Sequence, residues 1–184
     1  FGVSVSLSRD GNTLAVGADS EDSNSTVINV FGTDDGLADQ SGAAYVFSRS
    51  GNTWTEQAYV KASNTGENDY FGRNISLSGD GNTLAVGANF EDSNATSIGG
   101  DDNNLATDSG AAYVFSRSGT TWTQQAYVKA SNTGENDYFG TNVSLNSDGN
   151  TLAVGATGED SNSKVINDVG TDTGANGSGA VYLY

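Results

Sequence analysis

Apolar residues alternate with polar ones in short stretches of this chain, with the period of two that a half-buried β-strand has. In the first stretch, Val3, Val5 and Leu7 alternate with serine. Asp10-Gly11 follows, a pair that supplies the positive φ angles of a tight hairpin turn, and a second strand is predicted over residues 13–18. Third and fourth strands are predicted over 43–48 and 53–62, and no segment has a helical period. The pattern therefore predicts four antiparallel strands within the first 70 residues.

The same pattern recurs along the chain. The segment Phe1-Gly-Val-Ser-Val-Ser-Leu returns in related form from Phe71 and from Phe139, at spacings of 70 and 68 residues. A four-stranded unit that repeats is typical of a β-propeller blade. We therefore predict an all-β fold of propeller blades with four, four and three strands, over residues 1–70, 71–138 and 139–184, the third lacking its outer strand. A β-solenoid and a β-sandwich are the alternatives, but a solenoid coil needs shorter repeats and a sandwich does not repeat its sequence so closely.

The repeated motifs resemble a known family. Phe-Gly opens the first strand, Asp-Gly forms the turn, Gly-Ala ends the second strand and Gly-Ala-Ala-Tyr-Val-Phe lies on the third. In this they are similar to FG-GAP repeats, which build the β-propeller of integrin α subunits and of many bacterial surface proteins. The resemblance implies a propeller, an extracellular setting (secreted or at the cell surface), and a role in adhesion or ligand binding, often with calcium.

The chain departs from that family pattern in two places. The proline of the signature is replaced by Asp19, Asn89 and Thr157. The calcium loop between the first and second strands keeps a single carboxylate per turn, whereas calcium takes six to eight oxygen ligands. A plain hairpin turn is therefore the favoured interpretation at Asp10, Asp80 and Asp148.

The charge is strongly negative and unevenly placed. There are 23 acidic and 7 basic residues, for a formal net charge of −16. In an up-and-down blade, the loop between strands two and three and the linker to the next blade emerge on one side, which we call the loop side. That side receives 19 of the 23 carboxylates, including Asp69 and Asp137, which we expect to accept backbone N–H groups in linker turns. The charge argues against nucleic acid as a partner, and no apolar run is long enough for membrane insertion.

The acidic loops are the candidate metal sites. Glu-Asp-Ser-Asn occurs at the same place in each loop, and carboxylate, amide and backbone oxygens on a glycine-rich loop suit Ca2+. A hydrated acidic loop that keeps the protein soluble is the alternative. We predict at least one calcium site per loop, with ligands among Glu21, Asp22, Asp34, Asp35, Glu91, Asp92, Asp101, Asp102, Asp108, Glu159, Asp160, Asp168 and Asp172. Asn24 and Asn94 begin glycosylation sequons in the same loops.

Two pairs of aromatic residues recur on the predicted fourth strands. Because each recurs at one register, we expect Trp54 and Trp122 to pack between blades rather than to stack on sugars. We expect a similar role for Tyr59 and Tyr127, although their place on an outer strand leaves them freer to be exposed.

The absence of histidine and cysteine excludes a zinc site, a histidine-activated nucleophile and a disulfide. With no start methionine and no signal peptide, the chain is expected to be a mature or excised segment. Fewer than three whole blades do not close a ring. The chain is therefore expected to be part of a longer propeller, or to be completed by other copies of itself through an open strand edge or through stacking of its acidic side on the opposite, arginine-bearing side.

The leading functional hypothesis is a non-enzymatic, calcium-dependent extracellular binding or adhesion module whose acidic loop side engages a protein or glycan ligand. A structural role is the second hypothesis: a surface fibre or filament assembled by strand complementation or head-to-tail stacking. Lectin-like carbohydrate binding is the third. An enzyme is not expected, because catalytic sites are singular and the candidate carboxylates recur in threes.

Overall fold

A computed structural model describes residues 1–29, 36–162 and 174–184. All of its regular elements are strands. None of the described residues belongs to a helix long and apolar enough to cross a membrane. The eleven strands are β1 (Val5–Leu7), β2 (Thr13–Ala18), β3 (Ala43–Ser50), β4 (Thr53–Val60), β5 (Asn74–Leu77), β6 (Thr83–Ala88), β7 (Ala111–Ser118), β8 (Thr121–Val128), β9 (Phe139–Leu145), β10 (Leu152–Ala156) and β11 (Ala180–Leu183).

The strands form three antiparallel sheets, ordered β1-β2-β3-β4, β5-β6-β7-β8 and β9-β10-β11. This confirms the predicted fold of four, four and three strands, and we call the sheets the first, second and third blades. Gly11 has φ +65° in the first Asp-Gly turn, which is the left-handed conformation that glycine adopts without strain. The Asp10 carboxylate accepts hydrogen bonds from the Ser8 hydroxyl and the Asn12 amide, at 2.6 and 3.0 Å, so the hairpin interpretation of this turn is confirmed.

Successive blades pack through the phenylalanine and glycine that open each repeat. Phe71 is 1% exposed and packs edge-on against Tyr113 of its own blade. Gly72, at φ +92°, lies so close to the first blade that an added Cβ would overlap the carbonyl oxygen of Ala43. The same contact recurs between Gly140 and Ala111. Glycine at these two positions therefore permits a close approach of the two backbones.

The aromatic residues on the outer strands differ in burial, and only some of them lie where the sequence predicted. Trp122 is 2% exposed, and its indole nitrogen donates to Gln57 of the first blade at 3.0 Å, so packing between blades is confirmed there. Trp54 has the same immediate neighbours in sequence, a threonine on each side, but is 40% exposed. Tyr59 and Tyr127 are both buried despite their place on an outer strand, and their hydroxyl groups reach inward to the loop that joins the second and third strands.

Candidate functional site

Hydrogen bonds between connecting segments divide the molecule into two sides. On the loop side, the linker amide of Tyr70 donates to Gln40 at 3.1 Å, and that of Tyr138 donates to Asp108 at 3.1 Å. On the opposite side, the amide of Arg9 donates to Gly79 in the next hairpin turn at 2.9 Å. The long loops and linkers therefore share one side, as predicted, and the short turns share the other.

The glutamates of the first two Glu-Asp-Ser-Asn motifs are buried in ion pairs. Glu21 accepts from Lys61 Nζ at 2.8 Å and from the Tyr59 hydroxyl at 2.6 Å. Glu91 accepts from Lys129 Nζ at 2.7 Å and from the Tyr127 hydroxyl at 2.7 Å.

Both lysine side chains are fully inaccessible to solvent. Burial lowers the pKa of Lys129, while the adjacent Glu91 carboxylate opposes that shift. Glu21 and Glu91 were predicted to be metal ligands. In the structure, each instead connects the loop on which it lies to the fourth strand of its own blade.

The third motif has a different environment. Glu159 is 3% exposed and accepts from the Ser161 hydroxyl at 2.9 Å and from the Asn132 amide nitrogen at 2.8 Å. In the described ranges, the lysine–glutamate pairs are those of Glu21 and Glu91, and no cation is paired with Glu159. The sheet that the structure describes for the third blade has three strands, so the tyrosine and lysine that a fourth strand brings to Glu21 and Glu91 have no counterpart among its described residues.

The aspartates of the motif close the base of each loop. Their carboxylates accept backbone N–H groups from residues near the loop's end, with distances of 2.7–2.8 Å: Asp22 from Gln40, Asp92 from Asp108 and Asp160 from Gly177. The Ser41 hydroxyl adds a bond to the carbonyl of Ser23 at 2.9 Å, as Ser109 and Ser178 do in their own loops. The recurrence of the motif therefore has a structural cause, since loop closure needs these acceptors.

The remaining predicted ligands lie further out or outside the described residues. Asp101 and Asp102 are exposed on the second loop. Asp108 is half-buried, and desolvation together with Asp92 raises its pKa. In the parts of the chain that the structure describes, no group of three or more acidic residues is arranged to hold a metal ion. The predicted ligands Asp34, Asp35, Asp168 and Asp172 lie outside the described residues.

The two predicted glycosylation acceptors, Asn24 and Asn94, are both exposed on the loop side. The Asn94 side-chain oxygen accepts from the Asn103 amide nitrogen at 2.8 Å, within the same loop. Modification of either asparagine stays a prediction.

The linker aspartates are buried where one blade meets the next. Asp69 and Asp137 are 6% and 5% exposed, and they accept the N–H groups of Gly66 and Gly134 at 2.8 and 2.6 Å, as expected for linker turns. Burial, assisted by the negative charge of Glu91, raises the pKa of Asp69 to about 8. Burial also raises the pKa of Asp137.

Exposed apolar residues interrupt the acidic loop side. Leu105 and Ile98 are 66% and 57% exposed on the second loop, and Leu37 is 63% exposed on the first. Beside Ile98 lies a groove of about 360 Å³ where the first blade meets the second, lined by Asn64, Asp102 and Tyr127 among others. The described loop side thus combines exposed carboxylates, apolar side chains and a concave surface.

Sequence reasoning missed the lysine–glutamate pairs. Lys61 and Lys129 lie at the same position of the identical segments 57–72 and 125–140, in a chain that is poor in basic residues. The recurrence of these lysines was the feature of the sequence from which the ion pairs could have been predicted. A buried lysine at a fixed register requires a buried anion, and the recurring glutamate of each loop was the candidate.

Two comparisons with known proteins bear on this arrangement. The FG-GAP repeat model matches residues 54–115 and 122–184, which is more than half of the chain. Each match begins at the second residue of a fourth strand, β4 or β8. The first match ends within β7, the third strand of the following blade, and the second ends just after β11. A search of curated proteins found no match.

Proposed function

Because this chain belongs to the FG-GAP repeat family, we propose that it is a non-enzymatic extracellular module that binds a protein partner through its loop side. The observation that carries the proposal is the mixture of exposed carboxylates and exposed apolar residues on the second loop, at Asp101, Asp102 and Leu105. Protein-binding surfaces combine apolar anchors with a polar surround, and large exposed apolar residues in a patch mark such sites.

The charge of the loop side selects the class of partner. With a formal net charge of −16, the chain attracts basic surfaces and repels acidic ones. The groove next to Asp102 is large enough for a lysine or arginine side chain of the partner. We therefore expect a partner with a basic patch, and binding that weakens as salt concentration rises.

The non-enzymatic part of the proposal rests on the repeated role of the carboxylates. Glu21 and Glu91 each bind a lysine and a tyrosine of their own blade in the same way. Both carboxylates are therefore engaged within their own blade. These glutamates have equivalent environments.

Binding to purified extracellular matrix proteins, with a lysine-rich peptide as the simplest probe, tests the proposal. The double variant Asp101→Asn/Asp102→Asn and the single variant Leu105→Ser should each weaken binding, since they remove charge and apolar contact from the loop side. Glu56→Gln is the matched control, because Glu56 is an exposed carboxylate on β4, away from the loops. Equal binding by all four proteins would contradict the proposal.

Calcium dependence is a further part of the proposal. Glu21 and Glu91 already bind lysines, so calcium would use exposed oxygens such as those of Asp101 and Asp102, or carboxylates beyond the described residues. The described acidic residues do not by themselves make a set of six to eight ligands. Calorimetric titration with calcium after chelator treatment tests the idea. The absence of both a binding heat and a shift in melting temperature would contradict it.

Glycan binding is less well supported as the activity of this surface. The indole of Trp122 is buried and donates to Gln57, so it is not accessible for stacking on a sugar ring. A glycan array run beside the protein panel separates the two ligand classes.

A further inference from the structure

The outer strand of the second blade leaves a backbone hydrogen-bond donor open beside the groove that Asp102 lines. β8 is the last strand of its sheet, and the described strands place no neighbour on its far edge, which we call the β8 edge. We propose that an extended, basic segment of the partner protein adds to the β8 edge at Tyr127. The inference rests on the proposed function and deepens it, because it names the conformation of the bound segment and the point at which its main chain is held.

The backbone groups of Tyr127 point away from their own sheet. The carbonyl oxygen of Tyr127 accepts the amide of Gly99 at 2.8 Å, and Gly99 lies on the loop between β6 and β7. In an antiparallel strand, the N–H and C=O groups of one residue point to the same edge. The N–H of Tyr127 therefore also points away from β7, toward the side on which Gly99 lies.

The first blade shows how the same edge is closed. Asn29 is the counterpart of Gly99, and its amide donates to the carbonyl of Tyr59 at 2.8 Å. The side-chain oxygen of Asn29 also accepts the N–H of Tyr59, at 3.2 Å. The two loop residues have nearly the same backbone conformation, with φ +67° for Asn29 and +68° for Gly99. Because glycine has no side chain, Gly99 cannot give Tyr127 the corresponding acceptor.

The space that an asparagine side chain would take at Gly99 is open. Apart from its chain neighbours, an added Cβ at Gly99 would meet no described atom within 4 Å. Gly99, Gly100 and Tyr127 all line the groove of about 360 Å³ where the first blade meets the second. The groove therefore gives access to the β8 edge at the point where its donor is open. Strand addition needs that access, since it proceeds through main-chain hydrogen bonds.

The groove lies between two complete sheets and has a fixed wall. Both sheets at this junction contain four strands, β1–β4 and β5–β8. The amide nitrogen of Gln124 on β8 donates to the Ser63 hydroxyl at 2.9 Å, and its oxygen accepts the N–H of Ser63 at 3.2 Å. These two bonds hold the linker of the first blade against the outer strand of the second. A preformed site costs a bound segment less ordering than a site that must first assemble.

Further along β8, side chains cover the edge. The amide nitrogen of Gln125 donates to the Thr123 hydroxyl at 2.8 Å and to the Thr123 carbonyl at 3.4 Å. Polar side chains on an edge strand discourage pairing with another strand. The opening at Tyr127 is therefore local, and it favours a short extended segment over a long strand.

The charge of the groove favours a basic segment. Asp102 lines the groove, and the neighbouring Asp101 is exposed. Complementary charges steer the encounter of two proteins and fix the register of the contact. Alternate side chains of an extended segment point to the same side. A segment whose carbonyl accepts the N–H of Tyr127 can therefore place a lysine or arginine beside Asp102.

Amide hydrogen exchange followed by NMR tests the main-chain contact in the unaltered chain. The probe is an eight-residue peptide in which lysine alternates with threonine. In the free protein, the amide of Tyr127 should exchange faster than that of Tyr59, which is paired with Asn29. Saturating peptide should slow exchange at Tyr127 and leave Tyr59 unchanged. Peptide binding without slower exchange at Tyr127, or no binding of the peptide, would overturn the proposal.

Gly99→Asn closes the β8 edge with the residue that the first blade uses. This variant should bind the peptide at least about threefold more weakly, which corresponds to the loss of one hydrogen bond. Gly119→Asn is the matched control and should bind as the unaltered chain does. Gly119 is exposed in the turn between β7 and β8 at φ +63°, and an added Cβ there also meets no described atom within 4 Å.

The double variant Asp101→Asn/Asp102→Asn separates this inference from the proposed function. Weaker peptide binding by both this variant and Gly99→Asn supports the two together. If only the double variant binds more weakly, the partner uses the charge of the loop side without the β8 edge, and the inference is wrong. If both variants bind as the unaltered chain does, the proposed basic partner of the loop side fails as well.

Discussion

The second and third blades place the same glutamate at the same point of their loops, but among the described residues only the glutamate of the second blade is paired with a lysine. Glu91 binds Tyr127 on β8 and Lys129, the residue that follows β8. Glu159 is equally buried and binds Ser161 and Asn132. The difference indicates that the fourth strand, rather than the loop, neutralises this carboxylate. The fourth strand therefore completes the sheet and also brings in the lysine that neutralises the buried glutamate.

The largest expected effect is from breaking the buried pair of the second blade. Lys129→Met leaves the Glu91 carboxylate buried without its cation, and removing one partner of such a pair costs about 3–5 kcal/mol. Urea unfolding at neutral pH measures the loss. Glu159→Gln is the matched comparison, for which we expect a change below about 1 kcal/mol, since the amide keeps an acceptor and no ion pair with a residue in the described ranges is lost. Equal losses from the two variants would contradict this interpretation.

The two tryptophans provide a second comparison, in which the expected loss in the free energy of unfolding is similar or smaller. Trp122→Ala should lower the free energy of unfolding by about 3–5 kcal/mol, as for other large-to-small changes at buried aromatic residues. Trp54→Ala should cost less than about 1 kcal/mol, because 40% of Trp54 is already exposed. Thermal and urea unfolding of both variants test the prediction. If Trp54→Ala were as destabilising as Trp122→Ala, another surface would have to cover Trp54.

The last expected effect is a pH dependence at the linker between the first two blades, and over a single pH unit it is the smallest of the three. Asp69 has a pKa of about 8 in the folded chain, against 3.8 for the ordinary value. The folded state therefore holds a proton that the unfolded state has released, and stability falls as pH rises from about 4 to about 8, by at most about 1.4 kcal/mol per pH unit.

Asp69→Asn should remove this contribution to the slope. The exposed Glu67→Gln, two residues earlier in the same linker, is the control and should retain it. Unfolding curves at several pH values between 5 and 8 give the slope for each protein. An unchanged slope in Asp69→Asn would show that this carboxyl does not hold the proton.

Local patterns predicted the strands well, because alternation and turn chemistry act over a few residues. The predicted second strand, 13–18, has the bounds of β2, and the predicted third and fourth strands overlap β3 and β4 with differences of two residues at one end. The candidate site was predicted less completely. The composition of Glu-Asp-Ser-Asn suggested metal ligands, but Lys61 lies 40 residues from its partner Glu21, and no local pattern joins them.

The amino-acid sequence by itself determined the repeat, the strands, the hairpin turns and the side on which the carboxylates collect. Each follows from local periodicity together with the strict alternation of connections in an antiparallel blade. Tertiary structure alone decided which copies of a repeated residue are buried. Trp54 and Trp122 share their neighbours in sequence, but only Trp122 has a blade packed against it, since burial depends on what lies across the interface.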